Sequence, residues 1–189
     1  MKVLVETSAR HVHLTREDMD RLFGAGSELT KKKDLSQPGE FASEQRVDVV
    51  GPKNVQRGVN VLGPLRGATQ VEISLTDARN IGVDAPVRES GDVAGSATCK
   101  LVGPAGSVEL TEGVIAAKRH VHLTPQTAMA LNISNKQIIK VALNSSARKT
   151  LYDDVVARVS PKFADAMHVD TDEANAAGLS GEVWGEIIL

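Results

Sequence analysis

With 189 residues, 41% of them hydrophobic and 24% charged, the chain has the composition of a folded protein and room for one domain or two small ones. Its 22 basic and 24 acidic residues nearly cancel, which argues against a nucleic-acid or membrane-surface partner. Apolar runs are too short for a spanning helix, and a single cysteine, Cys99, leaves no internal disulfide, so a reducing, cytoplasmic setting is expected.

Val3-Leu4-Val5 opens the chain as a short apolar strand and leads into Arg10-His11-Val12-His13-Leu14-Thr15. Thr15 has the chemistry of a helix cap, Met19, Leu22 and Phe23 share one helical face, and Gly24 supplies a stop. Short strands are predicted next over 46–50, 59–62, 70–75, 98–102 and 107–110, rich in β-branched residues. Gly51-Pro52, Gly63-Pro64 and Gly103-Pro104 are the turn dipeptides between them. Val114-Ile115-Ala116 then repeats the opening stretch, and Arg119-His120-Val121-His122-Leu123-Thr124 repeats the hexapeptide letter for letter. Thr124 caps a second helix with Pro125 at its first position. Strands over 137–143, 155–159 and 183–188 follow, with a charged helix over 170–177. The expected fold is mainly β: two small β-barrel domains capped by short α-helices and related by the internal repeat, at 1–112 and 113–189. The boundary is approximate, because a strand can cross between halves without leaving a sequence signal.

All five histidines fall in three motifs: His11 and His13, His120 and His122, and His168. Residues i and i+2 of a strand project from one face, so each His-x-His offers two imidazoles side by side, a pair suited to zinc. One such pair is weak evidence; two identical copies that use four of five histidines favour a duplicated metal site. His168, just before the charged helix, would complete a three-histidine set with His120 and His122, leaving one position open as catalytic zinc requires. The first pair lacks a third histidine, and Glu72, an acid among apolar strand neighbours, either faces solvent or meets a cation or metal. Arg66, on the Gly63-Pro64 turn, carries a planar fork matched to phosphate oxygens, as well as being a common surface residue type. Lys31-Lys32-Lys33 is the only basic run, a solvated face of which one Lys can meet a nucleotide phosphate. No P-loop or Rossmann glycine motif is present, and Cys99 reads as a small strand residue rather than a nucleophile.

Taken together, Ser8-Ala9-Arg10-His11-Val12-His13-Leu14, Gln37-Pro38-Gly39-Glu40-Phe41-Ala42, Leu62-Gly63-Pro64-Leu65-Arg66, Gln70-Val71-Glu72-Ile73-Ser74, Arg119-His120-Val121-His122 and the segment from Met167 to Asn175 resemble the phosphate propanoyltransferases of propanediol utilisation. The resemblance implies two helix-capped β-barrels, a pair of zinc ions at their interface and a homodimer. It implies a phosphate acyltransferase that interconverts acyl-CoA (propanoyl or acetyl) and phosphate with acyl phosphate and coenzyme A. By position it assigns His11, His13 and Glu72 to one zinc, His120, His122 and His168 to the other, Arg66 to phosphate, and Ser8, Lys33 and Asn175 to coenzyme A. Asn60 departs from the pattern, standing where relatives often carry an Arg. Relatives also carry a longer N-terminal extension that targets a bacterial microcompartment, whereas seven residues precede Ser8 here, so cytoplasmic work or a removed targeting segment is expected. A zinc-dependent thioesterase and a non-catalytic module stapled by zinc are the rival readings, separated by phosphate dependence and by any turnover at all.

Overall fold

The computed structural model describes residues 1–144 and 148–189. In chain order the first half runs β1 (Lys2–Thr7), β2 (His11–His13), α1 (Arg16–Phe23), β3 (Lys31–Asp34), β4 (Phe41–Val50), β5 (Val55–Gly63), β6 (Gln70–Glu72), α2 (Leu75–Ile81), β7 (Val87–Arg88) and β8 (Ala97–Val102). The second half runs β9 (Ser107–Ala117), β10 (His120–Leu123), α3 (Pro125–Ala130), β11 (Ile138–Leu143), β12 (Thr150–Val159), β13 (Ala166–Val169), α4 (Thr171–Ala177) and β14 (Val183–Ile188). Among the described residues, no helix is long and apolar enough to cross a membrane.

Two compact units result. One gathers Met1–Ser8, Ser36–Pro38 and Lys118–Leu189, and its strands close in the order β1-β13-β10-β12-β11-β14, with β14 returning to β1. Alternation builds it: along β14, Val183, Gly185 and Ile187 are buried while Trp184, Glu186 and Ile188 face outward. Val3, Val5, Val121, Leu123, Val141, Leu143 and Met167 meet in its core.

The other unit holds Ala9–Leu35 and Gly39–Ala117. Its strands β4, β5, β2, β6, β9 and β8 each pair with the next, and β8 pairs back onto β4, so this barrel closes as well. The short strands β3 and β7 attach to β4 and β9. Val12, Leu14, Val47, Val49, Val59, Val61, Val71 and Leu101 fill the core. A six-stranded barrel is narrow, and aliphatic side chains, many of them β-branched, fill this one. The mainly β reading with two helix-capped barrels therefore holds.

One segment predicted as strand is partly helical. Strand geometry ends at Glu72, and the stretch predicted as strand over 70–75 turns into helix α2. The Ser74 side chain accepts from the backbone N–H of Asp77, and Gly82 closes the helix in a left-handed conformation at φ 79°. The signal was present as Ser74-Leu75-Thr76-Asp77, an N-terminal capping pattern, but the apolar run before it reads as continuous strand.

Both barrels share one pairing scheme. β2 lies between a parallel β5 and an antiparallel β6, and β6 runs parallel to β9. β10 lies between a parallel β12 and an antiparallel β13, and β13 runs parallel to β1. β1 thus does for the barrel of the second motif what β9 does for the barrel of the first. The strand leading into each His-x-His is exchanged, and the residue pair 112/113 falls inside β9.

Candidate active site

In both units the repeated hexapeptide builds the same local structure. Val12 and Val121 are fully buried in the cores, as are Leu14 and Leu123. Thr15 and Thr124 cap α1 and α3 by accepting from the backbone N–H three residues on. Each cap is held from a neighbouring segment. Thr69 Oγ1 accepts from the Thr15 N–H and donates to Asp18, whereas Asp165 accepts from both the Thr124 N–H and the Thr127 hydroxyl. Each arginine of the motif reaches the carboxylate at the third position of a helix. Arg10 lies 3.6 Å from Asp77 in α2, and Arg119 lies 2.5 Å from Glu173 in α4 while its guanidinium sits 5.4 Å above the Tyr152 ring. These pairs tie each His strand to the helix that follows the strand of the third candidate ligand.

That third residue is set by register. His11 pairs directly across β2/β6 with Glu72, and His120 pairs directly across β10/β13 with His168. Glu72 and His168 are equivalent positions of the duplicated scheme. His11, His13 and Glu72 offer ligand atoms that all lie within 4.8 Å of one another, and so do His120, His122 and His168. His11, His13 and Glu72 are all buried, at 6%, 2% and 7% exposure.

Hydrogen bonds orient these groups. His11 Nδ1 lies 2.9 Å from the Ala9 carbonyl and His120 Nδ1 lies 2.9 Å from that of Lys118, contacts that place the ring proton on Nδ1 and leave Nε2 as the electron-pair donor. Nδ1 of His13 and Nδ1 of His122 are buried without a hydrogen-bond partner among the described residues. A buried ring nitrogen without a protein partner is costly, and its recurrence at the same place in both units fits a cation-binding nitrogen. The donor sets, two imidazoles with a carboxylate and three imidazoles, suit zinc.

Arg66 joins the first set. The Gly63-Pro64 turn is seated by the backbone bond from Arg66 N–H to the Leu14 carbonyl at 2.8 Å, and Gly63 lies against Phe41 where a Cβ would meet the ring at 2.1 Å. From there the guanidinium donates to Ser90 Oγ at 3.4 Å and to Glu40 Oε1 at 3.0 Å. Ser90 Oγ in turn donates to Glu72 Oε1 at 2.7 Å, and the Gln70 amide donates to the same carboxylate oxygen. Ser90, Gln70 and Glu40 were not singled out from sequence. Glu40 and Gln70 lie in motifs that resemble the family, but Ser90 comes from a loop without a distinguishing pattern.

The electrostatics follow from this packing. Burial drives His13 down to about 2, helped by the neighbouring His11 and Arg66 charges. Burial likewise drives His122 down to about 2, with His120, His168 and Arg158 adding to it. Both rings are neutral, as metal ligation needs. Burial by itself disfavours charge on His11 and Glu72, but their mutual attraction outweighs it, raising the imidazole and lowering the carboxylate.

The expected coenzyme A contacts lie on three different segments. Ser8 follows β1 and donates its N–H to the Val169 carbonyl at 2.8 Å. Lys33 lies exposed on β3, paired in register with Ala42, and Asn175 is exposed on α4. Asn60 sits beside His11 in the β2/β5 register.

A model of the phosphate propanoyltransferase family matches residues 4–180. The chain belongs to the phosphate propanoyltransferase family. A phosphate propanoyltransferase of Listeria monocytogenes is 52% identical over 186 residues, covering 98% of this chain and 87% of the relative. The Thermotoga maritima relative of that name is 50% identical over 178 residues (94% and 85%), and that of Citrobacter freundii 47% over 171 residues (90% and 81%). Membership makes the chain an enzyme of the acyltransferase class.

Proposed function

We propose that this enzyme interconverts acyl-CoA and inorganic phosphate with acyl phosphate and coenzyme A, with one zinc ion in each of the two triads. The observation that carries the metal assignment is the orphaned buried Nδ1 repeated in His13 and His122. The chemistry carried over is that of the relatives, which are named phosphate propanoyltransferases.

Zinc bound at these residues supplies Lewis acidity toward phosphate or acyl oxygens. The protein's own part is positioning and charge. Arg66, whose two terminal nitrogens donate to Ser90 and Glu40, offers its remaining N–H groups to phosphate. A phosphate oxygen then attacks the thioester carbonyl carbon, the C–O bond forms, and collapse breaks the C–S bond to release the coenzyme A thiolate. No covalent acyl-enzyme is required. A near-attack pose replaces a bimolecular encounter, and Arg66 stabilises charge developing on the transferred oxygens. Ser8, Lys33 and Asn175 are the proposed coenzyme A contacts. The acyl group is propanoyl or acetyl, and the same reading includes a homodimer working in the cytoplasm or a microcompartment.

The test is thiol release from propanoyl-CoA and acetyl-CoA, with and without phosphate and before and after chelation. Release that requires phosphate and disappears with the metal is expected. Release without phosphate would make the protein a thioesterase instead.

A further inference from the structure

The two candidate triads differ in charge: one contains a carboxylate ligand, Glu72, and the other is three histidines. The difference is answered one strand away. Beside Glu72 in the β6/β9 register stands Ile115, fully buried. At the equivalent position beside His168, in the β1/β13 register, stands Glu6. Val3 and Val5 point into the barrel core, so Glu6 projects from the other face of β1, the face His168 takes on β13 between the buried Met167 and Val169. Glu6 Oε2 lies 3.1 Å from His168 Nε2, and Ser36 Oγ lies 3.5 Å from the same nitrogen. His11 and His120 each set Nδ1 against a backbone carbonyl, whereas His168 sets Nε2 against the carboxylate of Glu6.

We propose that Glu6 is a positioning residue of the three-histidine set. Its carboxylate accepts the Nε2 proton of His168, fixes the ring in that tautomer and turns Nδ1 toward the cation. The proposal rests on the zinc reading above. Each set then carries one negative charge, supplied as a ligand by Glu72 in one and from behind the ligand by Glu6 in the other. A carboxylate behind a ligating imidazole makes the ring a stronger donor and holds its plane, an effect on the order of 10- to 100-fold in metal affinity. Sequence reading passed over Glu6 because it lies in a strand of the other half of the repeat, 162 residues from its partner.

The experiment is zinc competition against a chromophoric chelator, using the full-length parent, Glu6→Ala and Glu6→Gln. In the parent two zinc ions per chain are expected. In Glu6→Ala one of the two should weaken about 10- to 100-fold while the other is unchanged, and Glu6→Gln, which keeps an acceptor, should lose less. Long-range 15N–1H spectra of the zinc-loaded parent should show the His168 proton on Nε2 and metal on Nδ1, a signature that a merely structural role would not produce. Unchanged affinity for both ions in Glu6→Ala, or metal on His168 Nε2, would overturn the role of Glu6 while leaving the zinc reading intact. A parent that binds no zinc would overturn both. Should Glu6→Ala fail to fold, Glu6→Gln and the parent spectra still decide the matter.

Discussion

Replacing Arg66 by Ala tests the proposed phosphate role apart from the architecture around it. The guanidinium donates to Glu40 at 3.0 Å and to Ser90 at 3.4 Å. Side chains of Arg66 and Glu40 are 32% and 35% exposed, so their ion pair is screened and contributes only about 0–1 kcal/mol to stability. The Ser90 contact is long, and Ser90 keeps its 2.7 Å bond to Glu72 when the arginine is gone. The fold and the first triad should therefore survive nearly unchanged. What is lost, on the proposed function, is a preorganised cation for phosphate. Removing one such group typically costs about 2.7–4 kcal/mol of transition-state stabilisation, or roughly 10²–10³ in kcat. Phosphate-dependent thiol release, zinc content by atomic absorption and thermal melting, measured on one preparation, decide it. The expected outcome is a fall of that size in turnover, full zinc content and a melting point within about 2–4 °C of the parent, the shift expected for up to 1 kcal/mol in a chain of this size. Phosphate kinetics within about threefold of the parent would refute the phosphate role. Loss of zinc would show that Arg66 supports the triad instead.

His13→Leu should invert in sign with metal: the orphaned Nδ1 costs about 1–3 kcal/mol when buried without a partner, so the chelated variant should melt no lower than the chelated parent. With zinc at about a hundredfold over its Kd the parent gains about 2.7 kcal/mol per site, which the variant forfeits at that triad. Arg119→Ala should destabilise by about 1–3 kcal/mol in denaturant melts, because Arg119 meets the largely buried Glu173 at 2.5 Å and stacks over Tyr152. Arg10→Ala should cost less, since its contact to Asp77 is 3.6 Å, and the reverse order would refute this account of the motif's arginine. Cys99 should be silent toward an aromatic disulfide reagent at pH 8 in the native protein and react promptly once unfolded. Burial, with Glu109 adding to it, pushes its thiol from 9.0 up to about 12, which leaves a thiolate fraction near 10⁻⁴ at that pH. Because the charged form is disfavoured only in the fold, the linked stability is complete below about pH 9 and is lost as pH rises from there toward 12.

Much of this protein was determined by its sequence alone. The identical hexapeptides disclosed the duplication, period-2 alternation disclosed the strands, and Thr15 and Thr124 disclosed the helices that follow, because each depends on neighbours a few residues away. The confinement of all five histidines to three motifs also selected the residues that the fold gathers into two triads, together with Glu72. Tertiary structure decided what depends on register between distant strands. Sequence spacing says nothing of which strand lies beside β13, yet that pairing brings Glu6 to His168 and assigns β1 to the barrel of the second motif. It likewise brought Ser90 between Arg66 and Glu72, from a loop with no pattern to mark it. α2 was missed for a different reason: its cap at Ser74 was legible, but the β-branched residues before it outweighed the cap. Local preference writes elements into a sequence. Closure of a barrel, which satisfies every strand edge at once, chooses their neighbours.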